Sequence, residues 1–149
     1  MTKSPLCRMF ATIMNHKTFT TMTNILEVEK MIVTLRNQQV ILDSDVAELY
    51  GVQTKEINQA VKNNSEKFPI GYIWELTDEE KMELVKNFDR FNRQKHSTVM
   101  PRAFTEKGLY MLATILKSPR AVETTIAIVE AYAKLKELSR VMTEIPQQE

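Results

Sequence analysis

Asp43-Ser44-Asp45-Val46-Ala47-Glu48-Leu49-Tyr50-Gly51-Val52-Gln53-Thr54-Lys55-Glu56-Ile57-Asn58-Gln59-Ala60-Val61-Lys62-Asn63 reads as two short helices broken by one glycine. Asp43 or Ser44 is the expected N-cap of the first helix, which buries Val46, Leu49 and Tyr50 at helical spacing. Gly51 supplies the left-handed residue that ends it, because glycine has no Cβ to clash in that conformation. Val52 seals the turn, and Thr54 is the expected cap of the second helix. There Ile57, Ala60 and Val61 form an apolar stripe, which leaves Lys55, Asn58, Gln59, Lys62 and Asn63 on the opposite face at spacings of three and four. Long cations and amides carry the donors and acceptors that read the edges of bases.

On the N-terminal side, Met31-Ile32-Val33-Thr34-Leu35 and Val40-Ile41-Leu42 flank the polar Arg36-Asn37-Gln38-Gln39 in a hairpin pattern that leads straight into the helix pair. On the C-terminal side, Phe68-Pro69-Ile70-Gly71 breaks the helix, and Tyr72-Ile73-Trp74-Glu75-Leu76 alternates as a short strand. Thr77 and Glu80 then form a capping-box pair at the start of another helix. Residues 86–102 hold Lys86, Arg90, Arg93, Lys95 and Arg102 against one acid, Asp89, and suit a flexible basic hairpin. A strand at 100–104 is confined to an edge or a strand start by Pro101. Residues 106–117 read as a helix with Leu109, Leu112, Ala113 and Leu116 inward. Ser118-Pro119 opens a last helix running through Val122, Ile126, Val129, Ala133 and Leu135 toward Arg140. The expected fold class is therefore α+β: a small single domain with an N-terminal β-hairpin, a helix-turn-helix-like helix pair, short strands and C-terminal helices. Residues 1–30 are expected as a flexible N-terminal extension, 31–140 as the folded domain and 141–149 as a C-terminal tail.

A chain of 149 residues with 43% hydrophobic residues buries one ordinary core. Its net charge of +1 hides segregation: residues 1–24 carry Lys3, Arg8 and Lys17 with no acid, while 75–83 carry five acids against Lys81. Neutrality overall thus says little about partners. Cys7 stands alone, so no internal disulfide forms, and the separated His16 and His96 offer no metal-ligand spacing. These features fit a reducing cytoplasm. No run approaches the roughly 18 to 20 apolar residues of a membrane helix. The Ser/Thr-rich, acid-free N-terminal stretch superficially resembles a transit peptide, but its apolar runs are too short for a signal segment, and translation from Met22 or Met31 is the favoured account.

Numbered from Asp43, the small Ala47 falls at the fifth position, Gly51 at the ninth, Val52 at the tenth and Ile57 at the fifteenth. That pattern resembles phage-repressor helix-turn-helices, in which a small residue admits the second helix and two apolar residues lock the crossing. Lys55, Asn58, Gln59 and Lys62 are accordingly the candidates for DNA base contacts, and Arg90, Arg93, Lys95 and Arg102 for phosphate contacts. Ordinary solvated surface is the alternative for each of them. Tyr72 and Trp74 suit core packing better than base stacking. Asp78, Glu79, Glu80 and Glu83 sit at a helix start, where negative charge is favourable, and His96 has no partner for acid–base work. No phosphate loop, nucleophile motif or ligand cluster is present, so no catalytic residue, metal or cofactor is expected and the chain does not read as an enzyme.

Residues 40–62, followed by Lys67-Phe68-Pro69, Trp74-Glu75-Leu76-Thr77 and Arg102-Ala103-Phe104-Thr105-Glu106-Lys107-Gly108-Leu109-Tyr110-Met111-Leu112-Ala113, resemble the KilA-N superfamily. The branch they resemble most is the ORF-six N-terminal domain of phages and prophages, over residues 31–138. The resemblance implies a small α+β DNA-binding domain of phage antirepressor-like or regulatory proteins. Where that family often has a glycine- and arginine-rich turn, this chain has Arg93-Gln94-Lys95-His96-Ser97-Thr98-Val99-Met100. The expectation is sequence-dependent binding of double-stranded DNA as a phage- or prophage-type transcriptional regulator or antirepressor, with a recognition helix at 54–64 in the major groove. Expected partners are double-stranded DNA, a second copy through the C-terminal helix and a repressor protein, with no membrane. The competing expectation is a protein-interaction module that sequesters a repressor or host protein without direct DNA readout.

Overall fold

The computed structural model describes residues 16–144, in which helix α1 (His16–Met31) is followed by strands β1 (Val33–Leu35) and β2 (Gln38–Leu42). Helices α2 (Asp43–Tyr50) and α3 (Thr54–Asn63) come next, then a 3-10 turn (Ser65–Lys67), strand β3 (Ile73–Glu75) and helix α4 (Asp78–Asn87). A 3-10 segment (Asp89–His96), strand β4 (Arg102–Phe104) and helices α5 (Glu106–Ala113) and α6 (Ala121–Glu144) complete the order. The chain divides into two compact units, Met31–Ala121 and a second one that includes residues 16–30 and 122–144.

The hairpin expected from the sequence forms, but Gln38 and Gln39, expected in the polar connection, belong to β2. Leu35 lies opposite Gln38, so Arg36 and Asn37 alone make the turn, with φ of 51° and 60°. Two consecutive left-handed residues match the right-handed twist of the strands they join. Asparagine tolerates this conformation, and Arg36 is held there by bonds of 3.0 and 2.9 Å to the Glu80 carboxylate and by stacking over the Trp74 ring.

The four strands form one antiparallel sheet in the order β1-β2-β4-β3. Val40 and Leu42 share one face with Val33, Leu35 and Ala103, and Leu76, Leu84 and Phe91 complete a cluster there. Ile41 and Phe104, which alternate to the other face, are equally buried. Burial on both faces explains why Val40-Ile41-Leu42 is apolar without alternation. The helix pair leaves β2 directly: Val46, Leu49, Tyr50, Ile57 and Val61 are buried, as their spacing predicts. The Thr77–Glu80 capping box is formed in full at the start of α4.

Several local expectations are corrected. Leu42 and Gln53, not Asp43 or Ser44 and Thr54, hold the N-cap positions of α2 and α3, and neither makes a side-chain cap bond. Asp43 is the first helical residue and turns inward, because β2 runs into α2 without a loop and leaves it no path to solvent. The basic stretch is a 3-10 segment rather than a flexible hairpin, with Phe91 buried beneath it and edge-on to Phe88. Helix α5 stops at Ala113, short of 117, and α6 begins at Ala121, after Ser118-Pro119.

In the second unit, residues 16–30 were expected as a flexible extension but lie within α1, where Val28 is fully buried and Glu29 pairs with Lys134 at 2.9 Å. The Ser/Thr-rich composition upstream hid the helical spacing of Ile25 and Val28. Residues 1–15 and the expected frayed end at 145–149 lie outside the described residues. Along α6 the buried face is Thr124, Ala127, Ile128, Ala131 and Tyr132, whereas Val122, Ile126 and Val129 are exposed. Among the described residues no helix is long and apolar enough to cross a membrane.

Candidate nucleic-acid interface

Gly51 has φ 71°, and its N–H and that of Val52 donate to the carbonyls of Glu48 (3.2 Å) and Ala47 (2.9 Å), which closes α2 and starts the turn. Helix α3 then lies with Ile57 and Val61 inward. Lys55, Gln59, Lys62 and Asn63 are exposed, while Asn58 is half-buried. The predicted base-contact residues therefore share one helix and one side of it.

That side borders an open groove. Lys55, Asn58, Gln59 and Lys62 form one wall; Phe68, Ile73, Trp74, Glu75 and Arg102 line the rest, with Ser65 at the end. Arg102 comes from β4, some 40 residues along the chain, so the sheet brings one predicted phosphate contact beside all four predicted base contacts. Arg93 and Lys95 are exposed on the 3-10 segment and do not line the groove. Lys81 ties down the end of that segment by donating to the Ser97 carbonyl at 2.7 Å.

Two predicted contacts are already engaged within the molecule. Arg90 donates to Asp45 (2.9 Å) and to the Met31 carbonyl (3.1 Å), and its guanidinium stacks over the Phe91 ring. Asn58 donates through Nδ2 to the Asp43 carboxylate at 3.1 Å, while its Oδ1 is enclosed without a partner. Gln59, in contrast, donates only to the neighbouring exposed Asn63 at 2.9 Å, a bond that water or a base edge replaces at little cost.

The sequence reading missed the buried carboxylates that organise this region. Asp43 is 4% exposed and Asp45 8%. Burial raises Asp43 above the usual carboxylate range against hydrogen bonds from Asn58 and from the Arg102 and Ser44 backbones. Burial raises Asp45 further, to about 6, against the attraction of Arg90. The cue in the sequence was the continuous apolar run ending at Leu42, which leaves no surface position for the residues that follow. Phe68, Trp74 and Glu75 were also not assigned to the site, since nothing local places them beside α3. Trp74 Nε1 is enclosed with no hydrogen-bond partner. Among the described residues no three His, Cys, Asp or Glu side chains are grouped to hold a metal ion.

Asp45 makes a pH prediction with a definite sign. Its folded-state value of about 6 lies above its ordinary 3.8, so the folded chain holds this proton more tightly. The stabilisation is complete below about pH 4 and is lost as pH rises through about 6, up to roughly 3 kcal/mol. Asp43 shifts in the same direction. Asp45→Asn carries no charge to bury and still accepts from Arg90, so it is expected to gain on the unsubstituted protein as pH rises from about 4 to about 7. Denaturant melts across that range check it; a stability difference that does not change with pH contradicts the assignment.

A family model described as the ORF6N domain matches residues 30–115, more than half of the chain. No curated protein and no solved structure matches it.

Proposed function

Because the chain belongs to the ORF6N domain family, a phage-associated family, we propose that it binds double-stranded DNA as a phage- or prophage-type transcriptional regulator or antirepressor. The observation that carries the reading is the meeting of Lys55, Gln59, Lys62 and Arg102 at one groove, from two elements distant in sequence. On this reading α2 and α3 act as a helix-turn-helix, and α3, about 15 Å long, lies in the major groove. Gln59 offers an acceptor and donor to adenine, and Lys55 and Lys62 reach guanine or phosphate. Arg102 takes a phosphate of the strand beside the groove, and Arg93 and Lys95 take phosphates further along. Arg90, bound to Asp45 and Met31, holds the 3-10 segment that carries those two cations. The role is binding without catalysis, and it belongs in the cytoplasm with the DNA.

One feature favours a second reading: Phe68, Ile73 and Trp74 give the groove an apolar lining that suits a protein segment. Salt separates the two. Anisotropy of a labelled duplex between about 50 and 200 mM salt is expected to give a log–log slope near −4.5, about −0.9 for each of the five cations that neutralises a phosphate. No binding to any duplex at the low-salt end would sink the DNA reading and leave the protein segment as the occupant.

A further inference from the structure

The Asp43 carboxylate lies where three elements meet. It accepts from Ser44 N at 2.9 Å in its own helix and from Asn58 Nδ2 at 3.1 Å in α3, and the Arg102 backbone of β4 stands close enough to favour its charged form. Helix α3 is otherwise seated by Ile57 and Val61, whose apolar contacts set its distance but are indifferent to small rotations. The Asn58–Asp43 bond is directional, and its polarity is fixed, since the reversed amide would set its carbonyl oxygen against a carboxylate. A rotation of α3 by about 10° moves side-chain atoms at a radius of about 6 Å by about 1 Å. Base reading tolerates roughly half that displacement.

We propose that Asp43 is a positioning residue that fixes the rotation of α3 through Asn58, and thereby sets which DNA sequences the groove prefers rather than how tightly it holds DNA. The inference rests on α3 being the reading helix. Asn58 then acts as a strut rather than a base contact: its Nδ2 is spent on Asp43 and its Oδ1 is enclosed. Lys55, Gln59 and Lys62, at −3, +1 and +4 from it, are the side chains whose placement it governs.

The test uses the full chain and a duplex that it enriches from a random library, with discrimination defined as the affinity for that duplex over the affinity for random duplex. Asn58→Ala, and Asn58→Leu beside it in case the smaller residue loosens the fold, are expected to lower discrimination about tenfold while affinity for random duplex and the salt slope stay unchanged. Asn58→Asp alone sets two carboxylates together and is expected to do the same. Combining it with Asp43→Asn restores a donor and an acceptor in exchanged places, and is expected to return discrimination to near its original value. A direct base contact by Asn58 would not survive that exchange. Unchanged discrimination in both Asn58→Ala and Asn58→Leu, or an exchanged pair that melts normally yet stays unselective, overturns the positioning role alone. An original chain that prefers no duplex over random DNA overturns the DNA reading beneath it.

Discussion

Gly108→Ala is expected to destabilise the Met31–Ala121 unit by about 3 kcal/mol or more, enough to leave it largely unfolded if its total stability is ordinary. An added Cβ would lie 2.3 Å from the Tyr72 carbonyl oxygen and 3.2 Å from its carbon. Both are backbone atoms, so no side chain is available to swing aside. That oxygen is also held by Thr105 N at 3.1 Å and Thr105 Oγ1 at 2.8 Å, and Thr105 caps α5 by accepting from Gly108 N. Relief would require α5 to retreat from the Tyr72 backbone, breaking both Thr105 bonds to that carbonyl and opening the sheet beside Trp74. Helix propensity alone predicts the opposite sign, a gain of about 1 kcal/mol for alanine over glycine inside a helix. Denaturant unfolding decides between them: a midpoint equal to or above that of the unsubstituted protein would show that the close approach does not hold in solution.

Replacing Lys55, Lys62 and Arg102 together by alanine is expected to reduce duplex affinity about 100- to 1000-fold near 100 mM salt and to flatten the salt slope by about 2 to 3. The two lysines are exposed and Arg102 is half-buried, so the melting temperature should move little. Arg93→Ala with Lys95→Ala is expected to cost about tenfold across all sequences, because those side chains stand outside the groove and meet phosphates alone. Titration of a labelled duplex reads both. Affinity that survives the triple change with its slope intact would return these cations to ordinary surface and move the site elsewhere.

Features set by neighbours in the chain were legible from the sequence. The hairpin, the left-handed Gly51, the Thr77–Glu80 box and the inward spacing of Ile57 and Val61 each follow from a few adjacent residues, whereas the shortening of the turn to Arg36 and Asn37 does not. What escaped depends on partners far along the chain: Arg90 finds Asp45 and Met31 across 45 and 59 residues, and no local rule announces that pairing. Asp43 carries the composition of a cap and was read as one, although its carboxylate serves α3 and β4. Helix α6 shows a different limit. Both of its faces are apolar enough to be buried, so periodicity alone could not tell Ala127, Ile128 and Ala131, which are inside, from Val122, Ile126 and Val129, which are not. At the candidate site, the α3 residues were legible as a face, whereas the opposing wall of Phe68, Trp74 and Glu75 follows only from the way the sheet is assembled.

The strand order bears on when this molecule becomes itself. Strand β4 lies between β2 and β3 and is the last of the four to be synthesised. Until residues 102–104 leave the ribosome, β2 and β3 each lack a neighbour, and the buried Ile41 has no Phe104 opposite it. Helix α3 is thus made well before it is locked in place. A chain cut at residue 100 would keep every side chain of α3 and lose the strand that places them, and the closing of the sheet across some 60 residues should set the pace of folding.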